Sequence, residues 1–102
     1  MAKQSVNQYI RRCAKLAVYV MCEILDCKRT WFLSSHRPEA CDGRAMIYLW
    51  LKQDMGLSTV TTGRLFGRDH STIYSALKHI SGILDTEPDI MARYREFELK
   101  MS

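Results

Sequence analysis

The chain has 102 residues, of which 47% are hydrophobic and 25% are charged. This is enough apolar material for one compact domain, whereas two domains would each be too small to bury a core. The net charge of +4 is uneven, because residues 1–79 carry twelve Lys or Arg against six Asp or Glu and residues 80–102 carry three against five. The composition excludes a disordered chain, and the basic first three quarters favour a polyanionic partner such as nucleic acid.

Neither a secretory signal nor a membrane span is predicted. Residues 1–4 lead into a polar stretch, not into a charged start followed by an apolar block. The longest apolar stretch, residues 16–22, is too short to cross a bilayer. We therefore expect a cytoplasmic protein with no membrane partner.

In such a reducing compartment, the cysteines are expected to be free thiols, and no metal or other cofactor is expected; they are Cys13, Cys22, Cys27 and Cys41. Three of them can be combined with His36 into a zinc site, but the spacings fit no zinc finger and no Cys-x-x-Cys pair occurs. Cys41 and His36 also have the spacing of a catalytic dyad, but a cysteine in a loop is usually inert. We therefore predict that the chain is not an enzyme.

Helical periodicity dominates the chain, and no segment alternates apolar and polar residues as a strand does. The first helix is predicted over about 6–26, where Ser5 and Gln8 have the spacing of a capping box. Its apolar stripe consists of Ile10, Cys13, Ala14, Ala17, Met21, Ile24 and Leu25. The three apolar residues at 18–20 give this helix more apolar surface than one core-facing side requires. They are predicted either to be covered by the last helix or to form a docking surface for a second copy or a protein partner.

A short helical turn is predicted from Thr30, followed by a loop over 34–38, because Pro38 disfavours helix at the residue before it. The next helix is predicted from Asp42 as N-cap to about residue 54, closed by Gly56 in a left-handed conformation. The residues predicted to form its buried side are Ala45, Met46, Leu49 and Trp50.

The second half of the chain continues with shorter helices. A two-turn helix is predicted with Ser58 as N-cap and Gly67 as the turn residue after it. A longer helix, with Asp69 or His70 as its N-cap, is predicted to run to about residue 84. Its inward residues are predicted to be Ile73, Ala76, Leu77, Ile80 and Leu84. Pro88 suits the first turn of a last helix.

A medium helix, a two-turn helix, a tight turn and a longer helix together form the layout of a helix-turn-helix, whose second helix enters the major groove of DNA. The start of that second helix carries side chains that can read base edges; they are Asp69, His70, Ser71 and Thr72. Arg68 can reach a phosphate or a guanine, and Arg64 and Lys78 can pair with phosphates. Each residue alone is typical of a capped helix or a solvated surface, and their conjunction favours DNA binding.

Residues 67–80, which begin Gly-Arg-Asp-His-Ser-Thr-Ile, resemble the signature of the C-terminal DNA-binding domain of DnaA, the bacterial chromosomal replication initiator. That signature is Gly-Arg-Asp-His-(Ser/Thr)-Thr-Val, followed by a patterned helix and Lys-x-Ile. Residues 44–49 are similar to a helix of the family that begins Arg-x-x-Ala and continues into a Tyr-Leu pair, and residues 63–66 to the end of its first helix-turn-helix helix. Residues 34–37 fall where the family has a basic loop. The resemblance extends over residues 31–80.

The resemblance implies an all-α, TrpR-like domain of about six helices. The composition and the helix signals along the chain predict one domain over 1–102, with an N-terminal helix over 1–29, a helix-turn-helix core over 30–84 and a C-terminal helix over 85–102. The resemblance also implies major-groove base contacts from Asp69, His70, Ser71 and Thr72. Arg37 matches the arginine that enters the minor groove, and Arg44 matches a position near the DNA backbone.

The chain also departs from the family pattern. Val60 replaces the usual Pro, Ile47 replaces the usual Ala, and Glu39 follows Arg37 in the loop. No G-x-x-x-x-G-K-[ST] phosphate loop occurs, so the chain is not a complete initiator. We expect a sequence-specific reader of double-stranded DNA that regulates transcription or replication, either free-standing, as in a phage or mobile element, or part of a longer protein. The alternative is an adaptor or antagonist that binds an initiator or another nucleoprotein.

Overall fold

A computed structural model describes residues 7–102, which form α-helices joined by short loops and contain no strand. The six helices in that range are α1 (Gln8–Leu25), α2 (Arg29–Ser34), α3 (Pro38–Met55), α4 (Thr59–Phe66), α5 (His70–Leu84) and α6 (Pro88–Met101). The all-α prediction is therefore confirmed. None of these helices combines the length and the apolar character needed to cross a membrane.

The first helix begins at a different cap from the predicted one. The side-chain oxygen of Asn7 accepts a hydrogen bond from the Ile10 amide at 2.8 Å, so Asn7 is the N-cap of α1. The predicted capping box involves Ser5, which lies outside the described residues. At the other end α1 closes with Asp26 in the left-handed conformation, at φ 54°.

The start of α3 corrects a prediction. The helix does not begin at Asp42 but one turn earlier, at Pro38, and Arg37 is the residue at its N-cap. Proline suits this first turn because a first-turn amide has no helical partner to lose. Asp42 therefore lies inside the helix, and its carboxylate is 3.0 Å from Nε2 of His79 on α5. This contact connects α3 to the middle of α5.

The predicted ends of the later helices are confirmed. Gly56 closes α3 with a φ of 67°, and the Ser58 hydroxyl caps α4 by accepting from the Thr61 amide at 3.1 Å. Gly67 closes α4 with a φ of 63°, and Pro88 lies in the first turn of α6. These positions match the local chemistry, because glycine adopts a positive φ without strain and a serine oxygen replaces a missing backbone partner.

The core surrounds α3. Every residue from 43 to 51 is buried, so this helix is covered on all sides, not only on the side predicted from its periodicity. It packs against α1, α2, α4 and α5, while α6 lies along α1 and also contacts α5. The largest side chains with almost no exposure are Phe32, Phe97, Met21 and Met46. In α5, Ile73, Leu77 and Ile80 are buried as predicted, whereas Ala76 and Leu84 are half-buried.

The extra apolar residues of α1 are partly covered. Val18 and Val20 are buried and α6 packs along α1, but Val18 lines a cleft between α1, α2 and α4. Tyr19 is 60% exposed, and Tyr9 and Leu16 are also exposed. An apolar strip of α1 therefore remains at the surface.

Candidate nucleic-acid interface

The junction between α4 and α5 is a close backbone contact. The Arg68 amide donates to the Gly63 carbonyl at 2.8 Å. A Cβ atom at Gly63 would lie 2.4 Å from the Arg68 carbonyl oxygen, closer than non-bonded atoms can approach. Gly63 and the left-handed Gly67 together allow the sharp turn that sets α5 against α4.

The tip of α5, which we define as residues 69–72, is ordered by Asp69. Its carboxylate accepts from the Ser71 amide at 3.4 Å and from the Ser71 hydroxyl, and it lies 3.6 Å from Nδ1 of His70. The hydrogen bonds from Ser71 lower the pKa of Asp69, so this carboxyl is ionised at neutral pH. A carboxylate that caps its own helix neutralises part of the positive end of the helix dipole.

The side chains of the tip face outward. Asp69, His70, Ser71 and Thr72 are all exposed, while the opposite face of the same helix is buried from Ile73 onward. Because the inner face is fixed in the core, the outer face has a defined orientation. The tip therefore presents four polar side chains with donors and acceptors on one short segment.

The outer face continues along α5 beyond the tip. Tyr74 is 62% exposed, and Ser75 and Lys78 are also exposed. Tyr74 lies four residues after His70 and four before Lys78, so the three side chains follow one line along the helix. Tyr74 was not among the predicted site residues, although this spacing in the sequence was enough to include it.

The arginines around the turn differ in their environment. Arg64, in the last turn of α4, is exposed. Arg68 is half-buried, and its Nη2 donates to the Leu33 carbonyl at 2.7 Å. The guanidinium group of Arg68 therefore holds the turn against α2.

The loop between α2 and α3 carries the predicted minor-groove residue. Arg37 and His36 are exposed, and the Arg37 amide donates to the Ser35 hydroxyl at 3.0 Å. Arg37 therefore lies at the surface at the start of α3, on a segment separate from the tip of α5. The last turn of α2, which leads into this loop, is connected to the turn between α4 and α5 through the bond from Arg68 to Leu33.

Arg44 is not at the surface, which corrects its predicted position near the DNA backbone. It is only 5% exposed, and its Nη1 donates to the Phe32 carbonyl at 2.6 Å. Its Nη2 lies 3.4 Å from Sγ of Cys41. Arg44 thus satisfies a carbonyl at the end of α2 from inside the protein. Phe32 belongs to the helix that leads into the loop carrying Arg37.

The charge of the helix-turn-helix segment is positive. Residues 59–84 contain three Lys or Arg, and Asp69 is their only acidic residue. The four cysteines are free thiols, and no group of three or more metal-ligating side chains occurs within residues 7–102. The segment presents an exposed polar tip and carries a net positive charge, and both properties suit contact with a polyanion.

Comparison with known proteins gives no assignment. No family model matches the chain, and neither a curated protein nor a solved structure matches it.

Proposed function

We propose that the protein binds a specific double-stranded DNA site, with the tip of α5 in the major groove, and thereby regulates transcription or replication in the cytoplasm. The observation that carries the proposal is the outward-facing tip of α5, where four polar side chains extend from a helix whose other face is buried. A helix of this width fits the major groove, and its first residues then meet the base edges.

Each exposed group has a role in this proposal. His70, Ser71 and Thr72 contact bases, and Asp69 accepts from a cytosine amino group while it caps its helix. Arg64 and Lys78 pair with phosphates. Arg68 and Arg44 contribute to DNA binding indirectly in this proposal. Arg68 holds the turn against α2, and Arg44 supports the end of α2 from inside the protein. Arg37, exposed on that loop, enters an adjacent minor groove, where a narrow A·T-rich sequence concentrates negative potential.

The proposal is tested by selecting bound duplexes from a random pool and measuring gel shifts over a range of salt concentrations. A single enriched motif is expected, with an affinity that falls as the salt concentration rises, because phosphate contacts release counterions. A pool that yields no motif, together with binding that does not respond to salt, would contradict the proposal.

Substitutions at the tip are expected to reduce specificity. His70→Ala and Thr72→Ala should each cost about 1–3 kcal/mol at the base pair that the side chain contacts. Both residues are exposed, so the free energy of unfolding should change little. The measurement is the affinity for the selected site and for single-base variants of it. Ser81→Ala, an exposed position near the far end of α5, is the matched control and should retain full specificity.

Lys78→Ala is expected to have a different effect. Because a phosphate contact carries no sequence information, affinity should fall by a similar factor for all duplexes, and the salt dependence should decrease by about one counterion. Lys100→Ala, an exposed lysine on α6, makes the same change in net charge and should leave both quantities unchanged. A loss confined to one base pair would assign Lys78 to base reading instead.

A second candidate function is protein docking through α1, as an adaptor or antagonist of another nucleoprotein. The observation that favours it is the exposed strip of Tyr9, Leu16 and Tyr19, since aromatic residues are enriched in protein interfaces. Light scattering distinguishes a monomer from a homodimer, and Tyr19→Ser should dissociate any dimer formed through this strip. If the tip substitutions leave DNA binding unchanged while this strip binds a partner, the second function replaces the first.

A further inference from the structure

A cleft of about 290 Å³ lies between α1, α2 and the end of α4. Five cationic side chains line it, namely Arg11, Lys15, Arg29, Arg44 and Arg68. The cleft has no acidic residue in its lining. We call it the basic cleft.

Among residues 7–102, no carboxylate lies within salt-bridge distance of the cations of the basic cleft. Within residues 7–102 the only carboxylates paired with a basic side chain are those of Asp42 and Asp69, and both partners are histidines. Five positive charges around one small space repel one another and so reduce the stability of the folded state. A bound anion would remove that repulsion.

Two of the cations are fixed in place before any ligand arrives. Arg44 donates to the Phe32 carbonyl at 2.6 Å, and Arg68 donates to the Leu33 carbonyl at 2.7 Å. These bonds hold both guanidinium groups beside the end of α2. Because the groups are already ordered, an anion that binds them does not have to immobilise them.

The remaining lining of the basic cleft includes apolar surface. The buried Val18 lines the cleft from α1, and the half-buried Leu65 and Phe66 line it from α4. Arg11 and Lys15 lie one turn apart on α1 and are exposed, so they stand at the rim. A ligand that fits this arrangement has an apolar part to cover the floor and an acidic group to face the cations.

We infer that the basic cleft binds a small amphipathic anion, in which a ring or branched apolar group carries a carboxylate, sulfonate or phosphate. The volume is close to the lower end of small-molecule sites, which measure roughly 300–1,000 Å³. A DNA backbone fits less well, because its phosphates are spread along a strand and it has no apolar group to place against Phe66. The inference does not depend on the proposed DNA binding.

The probe for the test is 1-anilinonaphthalene-8-sulfonate, whose fluorescence rises in apolar surroundings and whose sulfonate supplies the charge. It is expected to bind at one site per chain and to raise the melting temperature. N-phenyl-1-naphthylamine has the same rings without the sulfonate and should bind much more weakly. Binding of several probe molecules per chain, or equal binding of the neutral compound, would overturn the inference.

Charge-reversal substitutions at the rim of the basic cleft test whether the probe binds there. Arg11→Glu and Lys15→Glu should each weaken binding of the sulfonate by about tenfold, because each places a negative charge near the anion. Arg12→Glu is the matched control, since Arg12 is exposed on the same helix but does not line the cleft, and it should bind the probe as the unaltered protein does. Amide NMR shifts on adding the probe should be centred on Ala14, Val18 and Phe66.

Duplex binding by the same variants separates this inference from the proposed function. Arg11→Glu and Lys15→Glu should still select the same DNA motif while they lose the probe. If the rim variants bind the probe normally, the inference fails and the DNA proposal is unaffected. If they lose every duplex and the duplex displaces the probe, the basic cleft belongs to the DNA interface, and the inference is overturned.

Discussion

Gly63→Ala is expected to remove about 3 kcal/mol or more of folding stability, because overpacking of this kind forces the backbone to move. The new methyl carbon would lie 2.4 Å from the Arg68 carbonyl oxygen, and a backbone atom cannot rotate away as a flexible side chain can. Small domains have roughly 5–15 kcal/mol of stability in total, so the loss is a large fraction of it. Any molecules that remain folded must hold α5 further from α4, and they should bind the selected DNA site less tightly.

Urea denaturation and the gel shift measure the two effects of Gly63→Ala. Gly82→Ala is the matched control, since Gly82 also lies in a helix but has open space where a Cβ atom would be placed. That substitution should stabilise the protein by roughly 0.5–1 kcal/mol, because alanine is the better helix former. Equal stability of the two variants would show that the turn does not depend on the close contact at Gly63.

Much of the fold is predictable because its determinants are local. Ser58, Gly56, Gly67 and Pro88 mark helix ends through chemistry confined to one turn of backbone, and the structure confirms them. The start of α3 is an exception, because both Asp42 and Pro38 can begin a helix and no local feature ranks them. The choice depends on packing, since Asp42 faces His79 across a sequence separation of 37 residues.

The candidate site was predictable only in its polar tip. The exposure of residues 69–72 follows from the periodicity of α5, whose inward positions begin at Ile73. The environments of Arg44 and Arg68 do not follow from any local sequence pattern. Each guanidinium group donates to a backbone carbonyl of α2, and neither arginine belongs to that helix. For the same reason the basic cleft, which combines residues of α1, α2 and α4, has no counterpart in the sequence analysis.

Arg44→Ala tests whether this arginine supports the fold or contacts DNA. We expect a loss of about 3 kcal/mol, which combines a cavity in the core with a Phe32 carbonyl left without its partner. The substitution also removes charge repulsion between Arg44 and the other cations of the basic cleft, which on its own would raise stability. This gain is smaller than the loss, because the Arg44 guanidinium is already hydrogen-bonded at 2.6 Å and the cations at the rim are exposed to water.

Arg37→Ala is the counterpart of Arg44→Ala, and the pair is compared by urea denaturation and by binding to the selected duplex. Arg37 is exposed, so its removal should leave stability nearly unchanged while it weakens binding to sites with an A·T-rich flank. Arg44→Ala should have the opposite pair of effects. Its loss of folding stability should be large, and the fraction that stays folded should lose less DNA affinity, through displacement of the loop. If Arg44→Ala is as stable as the unaltered protein but binds every duplex more weakly, Arg44 turns outward to contact phosphate, and the structural role assigned to it here is wrong.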